Sequence, residues 1–247
     1  MFAIRLPDAA FFSHSTAARL HGIPLPPRFD RMPRLHLTVA SPARAPHASG
    51  LVGHSRFVAP GDVVVSSDGI RLSSPTRVFA EMGAVLALPD LVAVADHLIR
   101  RDAPMCTVSE LLERLSVGDR LTRRRTLRQA IALTNPRSES RPETLLRLIL
   151  LRCGWGEPDS NSEVRGLDGS AMRIDLAFPR HGLAIEYHGD YHRSPEQWRS
   201  DLTRRSRLEA LGWTVVELTA EDLRDPDDVV ARVVAIAARA HPIARLG

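Results

Sequence analysis

Residues 171–188 read AMRIDLAFPRHGLAIEYH, and this stretch decides the fold of the second half of the chain. Apolar and polar residues alternate on both sides of residues 179–182, a pattern typical of two β-strands joined by a tight turn. If residues 179–182 form the connection, Phe178 faces Leu183 across the hairpin. The same register places Asp175 opposite Glu186, with Cβ atoms about 5 Å apart.

The alternation also predicts that both acids lie on the face opposite an apolar one. That apolar face consists of Ile174, Leu176, Phe178, Leu183, Ile185 and Tyr187. Two facing carboxylates repel each other unless a cation lies between them or they share a proton. Oxygen ligands suit Mg²⁺ or Mn²⁺. Such a metal activates a bound water and stabilises charge on a phosphate oxygen, as phosphodiester hydrolysis requires. The alternative is that Asp175 and Glu186 only solvate the sheet, paired with Arg173.

The elements around this hairpin predict the order α-β-β-β-α-β-α for residues 138–247. They are a helix from Glu143 to Cys153, strands from Asn161 to Arg165, Ala171 to Phe178 and Leu183 to His188, a helix from Pro195 to Leu211, the strand WTVVEL, and a last helix with Val229, Val230, Val233, Val234 and Ala237 on its apolar face. Gly212 is a typical helix end. The sequence therefore predicts an α/β (α+β) domain here.

Residues 1–135 predict a different unit. A short helix from Thr16 to Leu20 is followed by strand-like runs at LHLTVA and on both sides of Asp68-Gly69, a strong hairpin signal. Residues 75–133 have helical periodicity. Asn135-Pro136 interrupts the last helix, and we expect the domain boundary there. The pattern favours a winged-helix-like region followed by helices.

The composition indicates a folded protein and is compatible with contacts to nucleic acid. The 247 residues are 44% hydrophobic and 25% charged, as in globular proteins. No apolar run is long enough to span a bilayer, no secretory signal is evident, and the two cysteines lie far apart, so we expect no membrane association and a cytoplasmic location. All 33 basic residues are arginine, and the first 135 residues hold 17 of them against 11 acids. Arginine suits phosphate contacts, although a GC-rich coding sequence would explain the bias equally.

The stretches RIDLAFPRHGLAIEYHGDYH and WRSDLTRRSRLEALGWTVVELTAEDL resemble the very-short-patch-repair-endonuclease-like (Vsr-like) branch of the PD-(D/E)XK restriction-endonuclease-like superfamily. The resemblance covers about Ser138 to Ala240. It implies that Asp175 and Glu186 are metal ligands, that Glu143 supports the metal or its water, and that His192 lies near the scissile phosphate. The stretches SHSTAARLHGIPLP and RLSSPTRVFAEM more loosely resemble the winged-helix region of AbiEi-type antitoxins.

One position departs from the superfamily motif, which has a lysine two residues after the glutamate. This chain has His188 there and no lysine at all. Histidine accepts a proton near neutral pH, so His188 or His192 is a candidate base for activating water.

Several of these residues have second interpretations. Glu143 is the fourth residue of Ser140-Arg141-Pro142-Glu143, which matches a helix capping box. His188, Asp190 and His192 form a poor zinc set without cysteines. Two arginine groups would either contact the DNA backbone or simply be solvated: Arg199, Arg204, Arg205 and Arg207, and Arg123, Arg124, Arg125 and Arg128.

Two functions follow. The first is a Mg²⁺- or Mn²⁺-dependent DNA endonuclease acting in repair or in defence against mobile elements. The second is a DNA-binding, antitoxin-type transcriptional regulator in which the nuclease fold is inactive.

Overall fold

The structure is a computed structural model, and it describes residues 9–31, 34–117, 122–189 and 195–240, the first four residues of the last range by their backbone alone. The chain divides into two compact units at the bond between Pro136 and Arg137. Unit 1 precedes this bond and unit 2 follows it. Across the described ranges, no helix combines the length and apolar character that crossing a membrane requires.

Unit 1 contains a five-stranded mixed sheet. Its strands are β1 (Phe11–Phe12), β2 (Leu35–Ala40), β3 (Leu51–Arg56), β4 (Val63–Val65) and β5 (Arg71–Ser73), in the order β3-β2-β1-β5-β4. β2 and β3 are parallel, whereas β4 and β5 form an antiparallel hairpin. Gly69 lies in its turn with φ of 76°, a left-handed conformation that glycine adopts without strain, so the predicted hairpin is confirmed.

Helices supply the rest of unit 1. They are α1 (His14–Leu20), α2 (Arg28–Arg31), α3 (Pro75–Met82), α4 (Leu88–Ile99), α5 (Val108–Arg114) and α6 (Arg124–Ala132). The helical pattern predicted for residues 75–133 is therefore confirmed. A buried ion cluster ties α3 to the start of β4: Arg77 Nη1 lies 2.5 Å from Asp62 Oδ2, and Arg77 Nε lies 2.8 Å from Glu81 Oε1.

Unit 2 has the predicted order of elements. They are α7 (Arg141–Leu150), β6 (Asp159–Arg165), β7 (Ala171–Phe178), β8 (Leu183–His188), α8 (Pro195–Ala210), β9 (Thr214–Thr219) and α9 (Pro226–Ala237). The sheet order is β6-β7-β8-β9. β6, β7 and β8 form the predicted antiparallel meander, and β9 joins β8 in parallel because α8 carries the chain back across the sheet.

Both faces of this sheet are covered. One cluster joins residues of α7, α9 and the sheet, among them Leu146, Leu176, Ile185 and Val233. The other includes Leu208 of α8 packed with sheet residues. Glu186 is buried under this packing, so free solvation of a sheet face does not describe it, whereas Asp175 is half-buried.

Two details of the predicted apolar pattern are wrong. Ile174 packs in the cluster that contains Leu208, not in the one that contains Leu176 and Phe178, so the alternation of β7 is broken at Asp175, opposite the left-handed Asn161. In α9, Val229 and Val233 are fully buried, whereas Val234 is 40% exposed. The apolar face of α9 is therefore narrower than predicted.

Candidate active site

The central hairpin has the predicted register. Phe178 pairs with Leu183, Ala177 with Ala184, and Leu176 with Ile185. Continued by one residue, this register sets Asp175 across from Glu186. At that point a side chain takes part in the hydrogen bonding between the strands, because Tyr187 N donates to Asp175 Oδ2 over 2.9 Å. The two acids therefore meet where β7 and β8 stop pairing through their backbones.

The two oxygens of the buried Glu186 carboxyl group have different surroundings. Its side chain is 6% exposed, and its Oε2 lies 2.6 Å from Arg204 Nη2 on α8. Within the described ranges its buried Oε1 has no hydrogen-bond partner. Leaving a buried acceptor unsatisfied costs about 1–3 kcal/mol, so this oxygen is suited to a ligand that the protein itself does not provide.

Burial is also the main reason why Glu186 is a weak acid here. Burial and then the nearby charge of Asp175 raise the pKa of Glu186 to about 8, although Arg204 opposes both effects. The raised pKa means that this buried carboxyl group favours either a proton or a second cation at neutral pH. Two carboxylates with a demand for positive charge fit a hard divalent cation.

Asn161 lies beside this pair. The register that pairs Ser160 with Leu176 and Ser162 with Ile174 places Asn161 across from Asp175. Its φ of 47° is left-handed, a conformation that Asn adopts more readily than most residues but that still carries strain. Such strain is retained where the surrounding contacts fix one side-chain direction.

Those contacts link Asn161 to Glu143. Asn161 Nδ2 donates to Glu143 Oε2 over 2.8 Å and to Arg137 O over 2.7 Å. Glu143 Oε1 accepts a bond of 2.7 Å from Ser140 Oγ, and its Oε2 accepts a bond of 3.1 Å from Glu139 N. Ser140 caps α7 by accepting a bond from Glu143 N, but the Glu143 carboxylate does not bond back to the backbone N of Ser140, so the predicted capping box is incomplete. Asn161 connects Glu143 to the strand of Asp175.

His188 lies two residues after Glu186 on β8 and lines the same small cavity as Glu186 and Arg204. Its Nε2 is 3.5 Å from Glu217 Oε1 and makes no hydrogen bond within the described part of the chain. The described residues therefore place this buried nitrogen beside a carboxylate and give it no hydrogen bond. His192 and Asp190, which belong to the predicted proton-acceptor and zinc sets, lie outside the described residues.

An open cleft of about 610 Å³ adjoins Asp175. It lies between β7 and α8, and its walls are Ala171, Met172, Arg173, Asp175, Ser200, Thr203, Arg204 and Arg207. Three arginines and two hydroxyls beside a carboxylate supply hydrogen-bond donors of the kind that bind phosphate oxygens. Each arginine also pairs with an acid of unit 2, and Arg173 does so with Glu139 at 2.8 Å. Arg204 connects the acid pair with the cleft, because it contacts Glu186 and also lines the cleft.

The predicted arginine groups separate in the structure. Arg204 and Arg207 line the cleft and pair with Glu186 and Asp168, while Arg205 lies outside the cleft and pairs with Glu209 at 2.9 Å. In unit 1, Arg123 donates to Leu86 O over 2.7 Å, so it fixes the connection between α3 and α4. Arg199 is exposed and is not among the residues that line the cleft.

Sequence reasoning missed two features of this site. The sequence predicts Asn161 only as the start of a strand, and the one local signal of another role is that asparagine is a poor strand former. The Arg204–Glu186 ion pair has no local signal, since it depends on how α8 packs over the sheet.

Comparisons with known proteins give relatives without a known activity. Two proteins of Mycobacterium tuberculosis, one from each of two strains and each named only as uncharacterized, are 28% identical to this chain over 223 residues, which are 88% of this chain and 78% of theirs. The matched length exceeds either unit, so the similarity includes residues of both. No family model and no solved structure matches the chain.

Proposed function

We propose that unit 2 is a restriction-endonuclease-like domain that hydrolyses DNA phosphodiester bonds with Mg²⁺ or Mn²⁺. The observation that carries this proposal is that Asp175 meets a buried Glu186 at the edge of an arginine-lined cleft, and that Glu186 Oε1 has no hydrogen-bond partner among the described residues. The element order and the four-stranded sheet support the same fold.

In this proposal Asp175 and Glu186 hold the metal. The metal supplies an activated water and stabilises charge on the phosphate when it is bound. His188 takes the place of the motif lysine and accepts the proton of the attacking water, because its Nε2 is free of hydrogen bonds among the described residues. Arg204 and Arg207 bind the DNA backbone in the cleft.

Glu143 and Asn161 position the site. Asn161 Nδ2 holds the Glu143 carboxylate, and the register places Asn161 beside Asp175. Glu143 therefore acts through Asn161 on the strand that carries the first metal ligand.

A cleavage assay tests the proposal. Supercoiled plasmid and branched or mismatched oligonucleotides are incubated with the full chain and Mg²⁺, Mn²⁺ or a chelator. Asp175→Ala and Glu186→Ala are expected to lose metal-dependent cleavage. Glu163→Gln changes an exposed acid of the same sheet and is the matched control, which retains cleavage. Cleavage that persists in both alanine variants rejects this site.

A DNA-binding regulator is the second candidate, and one observation favours it. Arg204 already neutralises Glu186 at 2.6 Å, and the chain has no lysine for the motif position. For a regulator, DNA binding is metal-independent, selects one operator sequence, and survives Asp175→Ala. An electrophoretic mobility assay with the chelator present separates the two functions.

A further inference from the structure

Three histidines from distant parts of unit 1 converge at one point. His14 begins α1, His36 lies in β2 and His54 lies in β3. One ring nitrogen from each histidine lies within 4.8 Å of the others, and the described residues contain no second such group of three potential ligands. His36 Nδ1 and His54 Nε2 are only 3.1 Å apart.

The sheet brings two of these rings together. In the parallel register of β2 and β3, Thr38 pairs with His54 and His36 pairs with Val52. Residues two apart on a strand share a face, so His36 and His54 are diagonal neighbours on the same side of the sheet.

The third ring is held in place at a conformational cost. His14 has a φ of 50°, a left-handed conformation that costs a non-glycine residue roughly 1–2 kcal/mol. Its backbone N donates to Glu81 Oε2 over 2.8 Å, and its Nδ1 is 3.0 Å from Ser13 Oγ. Backbone strain of this kind is typical of positions where the surrounding contacts hold a side chain for binding or catalysis. A polar partner on one ring nitrogen is also typical of metal-binding histidines.

All three rings are uncharged at neutral pH. Burial and then the neighbouring His36 lower the pKa of His14 to about 3. Burial and then His14 lower the pKa of His54 to about 4, and burial also lowers the pKa of His36. Neutral imidazole is the form that binds a metal.

The charges around the cluster permit a cation. Arg77 is a buried cation that acts on His14, and Asp62 and Glu81 already neutralise it. Glu81 Oε2 lies 3.8 Å from His14 Nδ1, so a carboxylate borders the three rings. Arg56, Arg34 and Arg19 also act on these histidines and oppose an added positive charge. A cation binds here only if its attraction to three nitrogen ligands and one adjacent carboxylate exceeds its repulsion by those arginines.

We propose that His14, His36 and His54 form a binding site for one zinc ion. In tetrahedral zinc sites the ligand nitrogens lie about 3.3 Å apart, close to the 3.1 Å between His36 and His54. The His14 ring stacks on His54, with centroids 3.9 Å apart, so zinc binding at this site requires the His14 ring to rotate about its side-chain bonds. Three imidazoles favour Zn²⁺ over Mg²⁺, and a water or an added ligand completes the fourth position.

Zinc titration of the full chain tests this site. The protein carries Asp175→Asn and Glu186→Gln, so that the acids of unit 2 do not contribute, and is first freed of metal with a chelator. We expect one Zn²⁺ per chain, and we expect His36→Gln and His54→Gln to weaken binding by at least about 100-fold. His47→Gln alters an exposed histidine outside the cluster and is expected to bind like the parent. Circular dichroism establishes that each variant is folded.

X-ray absorption of the zinc-loaded parent gives a reading that needs no histidine variant. Three imidazole ligands at zinc support the site. A parent that binds no zinc at micromolar concentration, a zinc ion with fewer than three imidazoles, or folded histidine variants that bind as tightly as the parent would each overturn it. The three rings would then be a hydrogen-bonded, stacked cluster only.

Discussion

Arg204 Nη2 lies 2.6 Å from Glu186 Oε2, while Glu186 Oε1 has no hydrogen-bond partner among the described residues. The guanidinium therefore neutralises one edge of a buried carboxylate and leaves the other edge unsatisfied. An ion pair alone does not explain an orphaned oxygen, because a bidentate arginine would satisfy both. The pKa of Glu186 should therefore respond strongly to any second cation near its free oxygen.

Removal of Arg204 is expected to weaken the acidity of Glu186 further. In Arg204→Gln the opposing positive charge is gone, so the pKa of Glu186 rises above about 8. Carbon-13 NMR of the labelled carboxyl group measures this pKa directly. Arg205→Gln is the matched control, because the neighbouring Arg205 pairs with Glu209 and should leave the pKa of Glu186 almost unchanged. Equal effects of the two substitutions would argue against the ion pair.

Metal binding is expected to depend on pH through the same group. A cation binds the ionised form of Glu186, so each Mg²⁺ displaces up to one proton below pH 8. Affinity then rises about tenfold per pH unit between pH 6 and the pKa. Calorimetry in buffers of different ionisation enthalpy counts the released protons. Binding that is equally tight at pH 6 and pH 8 would mean that Glu186 is not a ligand.

Without metal, unit 2 is expected to lose stability as the pH rises. The pKa of Glu186 lies at about 8 in the folded chain and ordinarily at 4.5, so between these values the folded state holds a proton that the unfolded state has lost. The free energy of unfolding therefore falls by up to about 1.4 kcal/mol per pH unit in this window. Glu186→Gln removes this slope.

Tryptophan fluorescence is the appropriate measurement, because all three tryptophans, Trp155, Trp198 and Trp213, belong to unit 2. Urea unfolding is followed at pH 5 and pH 7.5 with a chelator present. If the parent and Glu186→Gln lose stability equally between the two pH values, another group causes the slope.

His188 provides a kinetic prediction. If it accepts the proton of the attacking water, His188→Ala lowers kcat by about 10² or more and leaves KM for DNA almost unchanged. His188→Lys restores the superfamily residue and is expected to recover cleavage. His181→Gln is the control, since His181 stacks on Trp155 at 4.2 Å in the hairpin connection. Full activity of His188→Ala would remove His188 from the mechanism.

The sequence predicts the parts of the site that depend on local spacing. Asp175 and Glu186 are eleven residues apart along one hairpin, and the length of its connection sets their register. Alternation and turn residues therefore identify both acids before any packing is known. The same local signals identify the element order of unit 2.

Features that depend on packing between distant segments have no such signal. Arg204 reaches Glu186 only because α8 lies over the sheet, and Ile174 joins the cluster beneath that helix because the alternation of β7 is broken at Asp175. His36 and His54 meet only through the parallel register of β2 and β3. No periodicity within either strand encodes that pairing.

Asn161 supplies the last prediction, which concerns stability. Asn161→Ala loses the bonds to Glu143 Oε2 and Arg137 O and retains a β-carbon at a φ of 47°, so we expect unit 2 to lose about 2–3 kcal/mol. Asn161→Gly loses the same bonds without the backbone strain and should be about 1 kcal/mol more stable than the alanine variant. Urea unfolding followed by tryptophan fluorescence measures both. Alanine and glycine variants of equal stability would show that the left-handed backbone at this position carries no cost, and the positioning of Asp175 would then rest on the side-chain bonds of Asn161 alone.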